Sequence, residues 1–185
     1  LTFRIPNPEI DKIEAKLVPE VLDSIPRCYD TARAFYQEDF PPVFEVILPM
    51  TTSAVQLERI YRYYENYVVR LGNQEVFEGD IKLSGWLGEF KPEKINVIPL
   101  FEDFSSILNS DRILKEFLNS KDVEYQRVFL ARSDPALNYG MLSAVLMLNV
   151  ALQRLYELEK EIGIDIFPIL GVGSPPFRGN FKPTN

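Results

Sequence analysis

The chain has 185 residues, 46% of them hydrophobic and 25% charged, and its net charge of -7 disfavours a nucleic-acid partner. No apolar run reaches the roughly 18 residues that a membrane span requires, and the single cysteine, Cys28, rules out an intrachain disulfide, so we expect a cytoplasmic protein with no membrane partner. The absence of histidine excludes Ser-His and Cys-His nucleophiles and imidazole-bound zinc, which leaves carboxylate-bound hard cations such as Mg²⁺ or Mn²⁺.

Five segments of the chain have the pattern of β-strands. Four of them are short and almost continuously apolar, which is typical of strands that are buried on both faces of a parallel sheet. The extreme N-terminal segment is a weaker candidate. In chain order, the predicted strands cover residues 1–5, 43–48, 95–101, 125–131 and 164–170.

Helical spacing of apolar residues fills the intervals between these strands. Capping residues or prolines mark the helix starts, and glycines mark the ends of the longer helices. The predicted helices begin at Asn7-Pro8, Ser53, Ser110 and Asp134-Pro135 and extend to about residues 25, 72, 118 and 162. Pro19 is expected to kink or split the first helix. Residues 73–92 are polar and rich in turn formers, and we interpret them as a long excursion between two βα units.

The alternation of strands and helices predicts an α/β fold with right-handed crossovers. An open doubly wound sheet and a parallel (β/α) barrel of the TIM type both have this order. A complete barrel takes about 250 residues, so four to five βα units correspond to a partial barrel. We therefore expect residues 1–185 to be part of a single barrel catalytic domain. The last predicted strand has no helix after it, and we expect the chain to be cut inside a βα unit.

Polar residues follow the carboxyl ends of the predicted strands, where α/β enzymes bind their ligands. Glu102 follows the third strand, Arg132 and Asp134 follow the fourth, and Arg4 lies near the end of the first. Carboxylates on two strand ends can share one divalent ion, and nearby arginines can hold an anionic substrate. The glycine- and proline-rich residues 171–180 follow the last strand and offer backbone N–H groups to oxyanions.

Each of these features also has a structural interpretation. Asp134 precedes a proline and can be a helix cap, Glu102 can be a solvated loop residue, and Arg132 can pair with either carboxylate. The final loop lacks the Gly-Lys-Ser/Thr continuation of a Walker loop. Glu45 lies inside an apolar run and is either a buried functional acid or an acid paired with a base.

Four segments of the chain closely resemble archaeal-type phosphoenolpyruvate carboxylase. They have the sequences FEVILPMTTS, INVIPLFEDFSSIL, YQRVFLARSDPALNYGM and ILGVGSPPFRGN and occur in the order of that family. The resemblance covers essentially the whole chain, although the family's complete chain is longer at both ends. It implies an anaplerotic reaction in which phosphoenolpyruvate and bicarbonate give oxaloacetate and phosphate, with Mg²⁺ or Mn²⁺ as cofactor, in a homotetramer.

The resemblance also implies roles for individual residues. Glu102 in VIPLFE and Asp134 in ARSD match the metal-binding carboxylates, and Arg178 matches the arginine that acts on the bicarbonate-derived group. Leu137 and Val172 stand where the larger bacterial and plant type has basic residues, so those two roles are not carried over. The family's catalytic histidine belongs to a segment upstream of this sequence, and we expect the isolated 185-residue chain to be inactive.

Arg132 and Arg4 are the further candidates for catalytic arginines, expected to hold the phosphate or the carboxylate of the substrate. Arg132, Arg178, Gly171 and Gly173 are expected to bind the substrate. Two other functions stay open: another Mg²⁺-dependent barrel that handles phosphoenolpyruvate or an oxoacid, and a structural segment without turnover. Bicarbonate-dependent formation of oxaloacetate distinguishes the first alternative, and metal-dependent release of phosphate distinguishes the second.

Overall fold

The structure, a computed structural model, describes residues 1–119 and 121–172. Its elements alternate in the order β1 (Thr2–Arg4), α1 (Leu17–Tyr36), β2 (Glu45–Leu48), α2 (Ala54–Tyr63), α3 (Leu83–Leu87), β3 (Asn96–Phe101), α4 (Phe104–Leu108), α5 (Ser110–Leu118), β4 (Tyr125–Ala131), α6 (Ser133–Tyr139), α7 (Met141–Ile162) and β5 (Asp165–Gly171). The five strands are parallel and follow one another across the sheet in chain order. The predicted α/β class is therefore confirmed.

All five predicted strands form, each within two residues of its predicted bounds. β3 shows why continuous apolar runs were informative, because its last five residues are all buried. Among the described helices, none is long and apolar enough to cross a bilayer.

The described chain divides into two compact units. The first comprises Leu1–Leu48 and Leu57–Val97, and the second comprises Pro49–Gln56 together with the described residues from Ile98 onward. In the first unit, β1 and β2 pair in parallel, with Phe3 opposite Val46. Helix α1 buries one side, which includes Leu22, Ile25 and Tyr29.

The helix predicted to begin at Asn7-Pro8 begins at Leu17 instead. Local turns occupy the preceding residues, where the side chains of Asn7 and Asp11 accept backbone N–H groups two or three residues ahead at 3.0 to 3.1 Å. Such bonds compete with helical hydrogen bonds and explain the later start. Pro19 then falls in the first turn of α1, where backbone N–H groups have no intrahelical acceptor. The lack of an N–H at Pro19 therefore removes no helical hydrogen bond, and Pro19 does not split the helix.

A hydrogen bond from the Tyr29 hydroxyl to the Asp39 carboxylate joins α1 to the loop before β2. Because this bond favours the ionised carboxylate, it lowers the pKa of Asp39 below its usual range. It also raises the pKa of Tyr29, and burial of the phenol acts in the same direction.

The Tyr29 and Asp39 pair predicts a pH-dependent stability. A carboxyl group with a lowered folded pKa stabilises the fold above its unfolded pKa of about 3.9, and this contribution disappears as the pH falls through the folded pKa. We therefore expect Tyr29→Phe to be less stable than the parent at neutral pH, and the difference to shrink progressively as the pH falls below about 4. Urea unfolding at several pH values measures the difference. A difference that does not vary with pH would contradict the assignment.

Helix α2 begins directly after Ser53, as predicted. It continues as a π-helical segment over Tyr64–Val69 and as a 3-10 turn over Arg70–Asn73, so the helical stretch ends close to the predicted Gly72. The buried Tyr64 hydroxyl donates to the carbonyl of Pro92 at 2.7 Å, and burial raises the pKa of this phenol. Residues 73–92 contain an antiparallel bridge between Glu75 and Lys82 and the short helix α3.

In the second unit, the predicted capping residue Ser110 is the first residue of α5 rather than its cap. A short helix that the sequence did not predict, α4, lies before it. The side chain of Asp103 caps α4 by accepting the N–H groups of Ser105 at 2.9 Å and Ser106 at 3.0 Å.

The long helix predicted over residues 136–162 is two helices, α6 and α7. Gly140 separates them with φ of 85° and ψ of 155°, a backbone conformation outside the helical region that glycine adopts most readily. The end of α7 at Gly163 is as predicted, with φ of 69° and an N–H that donates to the carbonyl of Glu159 at 2.9 Å.

Candidate functional site

The carboxyl ends of β3, β4 and β5 lie side by side in the second unit. The parallel register places Phe101 opposite Leu130, and Leu130 opposite Leu170. Glu102 follows the end of β3 by one residue, and Asp134 follows the end of β4 by three. The two predicted metal ligands therefore leave neighbouring strands at the same edge of the sheet.

An aromatic contact connects the segments that carry these carboxylates. The rings of Phe104 and Tyr139 meet edge to face with their centroids 5.7 Å apart. Phe104 begins α4, two residues after Glu102, and Tyr139 ends α6, five residues after Asp134. Edge-to-face pairs of this kind contribute about 0.5–1.5 kcal/mol beyond area burial, so the contact helps to fix the two segments relative to each other.

Glu102 is half-buried and its carboxylate is anchored to the protein. Its Oε2 accepts the backbone N–H of Met50 at 2.7 Å. The next residue, Thr51, donates its own N–H to the carbonyl of Leu100 in β3 at 3.0 Å. The segment 49–56 is thus bonded to the end of β3, and Glu102 is not the fully solvated loop residue that one interpretation of the sequence allowed.

Asp134 lies in the first turn of α6 and is exposed. Arg132 occupies the capping position of this helix, and no side-chain capping bond forms there. Capping therefore does not account for Asp134, in contrast to Asp103, which does cap its helix. The Asp134 carboxylate is accessible at the end of the sheet where the predicted site lies.

Arg132 places a half-buried cation at this edge of the sheet. Its Nη2 lies 3.5 Å from the sulfur of Met141, at the start of α7. Its backbone N–H donates to the carbonyl of Gly171 at 3.3 Å, and the hydroxyl of Ser133 donates to the same carbonyl at 3.4 Å. These bonds hold the end of β4 against the end of β5.

Gly171 has a packing role that the sequence did not reveal. A Cβ atom at this position would lie 2.9 Å from a ring carbon of Phe129 and 3.2 Å from the Cα of Ala131. A methyl group at these distances would force the Phe129 ring or the β4 backbone to shift, so glycine favours the close approach of β5 to β4. The predicted substrate-binding role of Gly171 stays a prediction.

We expect Gly171→Ala to lower the free energy of unfolding by about 1–3 kcal/mol, because the added methyl group overpacks the junction of β4 and β5. Chemical denaturation of the full-length protein measures this change. Gly163→Ala is a useful comparison, since there is open space around the added methyl group and only the left-handed backbone, φ 69°, opposes it. If Gly171→Ala is as stable as the parent, the tight junction is wrong.

The other predicted residues are distributed as follows. Arg4 ends β1 in the first unit and is exposed. Glu45 is buried at the amino end of β2, where its Oε1 accepts the hydroxyl of Thr2 at 2.6 Å. Gly173 and Arg178 lie outside the described residues, and the roles predicted for them and for Arg4 stay predictions.

The donor set suits a hard divalent cation. Across residues 1–119 and 121–172, no three or more His, Cys, Asp or Glu side chains gather in a metal-binding arrangement. A pair of carboxylates fits Mg²⁺, which is commonly bound through one or two carboxylates and completes its coordination with water and substrate oxygens. Mn²⁺ accepts the same oxygen ligands.

Comparison with known proteins gives a consistent result. All 185 residues match the family model described as phosphoenolpyruvate carboxylase. Curated proteins of that name are similar along the whole chain: 52% identity over 185 residues for Methanothermobacter thermautotrophicus, 51% over 183 residues for Methanospirillum hungatei and 52% over 185 residues for Pyrococcus abyssi.

The alignments cover 100%, 99% and 100% of this chain, but only 38%, 38% and 39% of those relatives. The chain thus spans less than half the length of the relatives that it matches. The resemblance predicted from four sequence segments is confirmed over the full 185 residues. The chain belongs to the phosphoenolpyruvate carboxylase family.

Proposed function

We propose that the full-length protein is a phosphoenolpyruvate carboxylase, which joins bicarbonate-derived CO₂ to phosphoenolpyruvate and releases oxaloacetate and phosphate. The names of relatives at about 50% identity support this activity. The structural observation that carries the proposal is the placement of Glu102 and Asp134 after neighbouring parallel strands, with Arg132 between them in the chain. This combination provides ligands for a divalent cation and a fixed positive charge at one edge of the sheet.

Glu102 and Asp134 are the residues that would hold Mg²⁺ or Mn²⁺. When bound, the ion supplies Lewis-acid stabilisation of negative charge on a substrate oxygen. Two carboxylates neutralise the charge of a divalent cation. A cation bound by both would therefore not by itself attract the anions phosphoenolpyruvate and bicarbonate. A further positive charge is therefore needed, and Arg132 provides it with a planar fork suited to carboxylate and phosphate.

We assign the remaining steps to residues by the family resemblance. Arg178 acts on the bicarbonate-derived group, Arg4 is a further candidate for binding phosphate or carboxylate, and Gly171 and Gly173 offer backbone N–H groups to substrate oxygens. The substrates must react away from water, since protonation of the enolate would give pyruvate in place of oxaloacetate. A bicarbonate oxygen attacks the phosphorus and the enol oxygen leaves, which gives carboxyphosphate and the enolate. Carboxyphosphate then splits into CO₂ and phosphate, and the enolate captures the CO₂ in the same closed pocket.

The proposal extends to the architecture and assembly of the full-length protein. Parallel strands in chain order, each followed by a helix from β1 to β4, support a (β/α) barrel of the TIM type, of which this chain supplies four to five units. We propose a homotetramer, on the family resemblance, and a cytoplasmic location, on the single cysteine Cys28. Analytical ultracentrifugation of the full-length protein tests the oligomeric state.

Isotope-labelled bicarbonate provides the test of the activity. We expect the full-length protein with Mg²⁺ to form oxaloacetate only when bicarbonate is present, and to transfer ¹⁸O from bicarbonate into the released phosphate. Turnover of phosphoenolpyruvate that does not require bicarbonate would favour the alternative Mg²⁺-dependent barrel. A full-length protein without any turnover would favour a structural role.

A further inference from the structure

Met50 has a left-handed backbone, with φ of 50°. This conformation is disfavoured for residues other than glycine, because Cβ comes too close to the carbonyl oxygen. Such a backbone conformation is kept only where the surrounding structure enforces it, and residues that have one cluster at functional sites. In this conformation, the N–H of Met50 donates to Oε2 of Glu102 at 2.7 Å.

Backbone hydrogen bonds connect this position to the end of β3. Thr51 is fully buried, and its N–H donates to the carbonyl of Leu100 at 3.0 Å. Two successive N–H groups therefore bond to the carboxyl end of β3, one to its backbone and one to the carboxylate that follows it. Met50 is 49% exposed, so the core does not dictate which side chain stands here.

We propose that Met50 is a positioning residue for Glu102, whose left-handed backbone directs its N–H at one carboxylate oxygen and so orients Glu102 before a cation binds. The inference rests on the proposed metal-binding role of Glu102. An outer hydrogen bond of this kind reduces the rotational freedom that a ligand must lose on binding, and such partners tune metal affinity.

Substitutions at Met50 separate the backbone role from the side-chain role. Met50→Gly and Met50→Asn keep the N–H and tolerate a left-handed backbone, whereas Met50→Val is β-branched and opposes it. Mn²⁺ binding to the full-length protein is measured by electron paramagnetic resonance. We expect Met50→Val to weaken Mn²⁺ binding about tenfold, equivalent to ~1.4 kcal/mol, and the Gly and Asn variants to stay within about twofold of the parent.

The same substitution in a Glu102→Ala background tests whether the effect passes through Glu102, because Ala removes the oxygen that accepts the Met50 N–H. Met50→Val should then cause no further loss of Mn²⁺ affinity. Equal losses in the Gly and Val variants would assign the effect to the side chain and overturn the proposal. A Val effect that persists beside Glu102→Ala would overturn it as well.

The metal-binding role of Glu102 and the positioning role of Met50 can be disproved separately. If Glu102→Gln weakens Mn²⁺ binding but Met50→Val does not, the positioning role alone is overturned. No loss in Glu102→Gln overturns the metal role and, with it, the positioning role. Hydrogen exchange of the Met50 amide without metal gives a second readout: we expect faster exchange in Glu102→Ala, and unchanged exchange would overturn the hydrogen bond.

Discussion

Replacing Glu102 by Gln, or Asp134 by Asn, in the full-length protein will lower kcat/KM for carboxylation about a thousandfold, the equivalent of the several kcal/mol that a bound cation contributes to the transition state. Both changes keep the size of the side chain and remove the negative charge of a proposed oxygen ligand. The rate of oxaloacetate formation at saturating Mg²⁺ measures the effect. The two variants should lose activity together, because each would remove one ligand of the same proposed cation.

Asp103→Asn is the matched control for this prediction. Asp103 is adjacent to Glu102 and has the same charge, but its carboxylate accepts the N–H groups of Ser105 and Ser106 as a helix cap. Asn caps helices about as well as Asp, so this variant should retain kcat/KM within about twofold. If Asp103→Asn and Glu102→Gln lose activity equally, local charge or folding explains the loss, and the ligand assignment fails.

Truncation of Phe101 to Ala is expected to cost about 3–5 kcal/mol of unfolding free energy. Phe101 is the last residue of β3, is 0% exposed and pairs with Leu130 of β4. Its removal leaves a cavity directly beneath the strand end that carries Glu102. Denaturant unfolding of the full-length protein measures the loss.

Phe101→Leu provides the comparison for this change. It keeps most of the apolar volume and should cost about 1–2 kcal/mol. A larger loss for Ala than for Leu confirms that packing at the end of β3 is the cause. Equal stability of the parent and Phe101→Ala would show that this end of the sheet is not part of the core.

The strands were predictable because burial on both faces leaves a sequence signature. β3 is the clearest case, because its last five residues are all buried. β4 matches its predicted bounds, residues 125–131, although mainly alternate residues of it are buried. The helices were less predictable where local chemistry overrides apolar spacing. Asn7 and Asp11 form turns instead of starting α1, and Gly140 breaks a pattern that otherwise continues through α6 and α7.

The candidate site could likewise be predicted only in part. Glu102 and Asp134 could be predicted to lie at one edge, because parallel strands bring their carboxyl ends together whatever the details of the loops. The role of Met50 could not be predicted, since it depends on a backbone conformation that its side chain does not favour. The steric demand at Gly171 likewise arises from the approach of a ring on another strand, which no local pattern encodes.

The most direct measurement is an anomalous-diffraction experiment on crystals of the full-length protein soaked in Mn²⁺. We expect one strong anomalous peak, within direct bonding distance of carboxylate oxygens of both Glu102 and Asp134. A Mn²⁺ peak at other residues, with these two carboxylates making no bond to it, would contradict the proposed metal site.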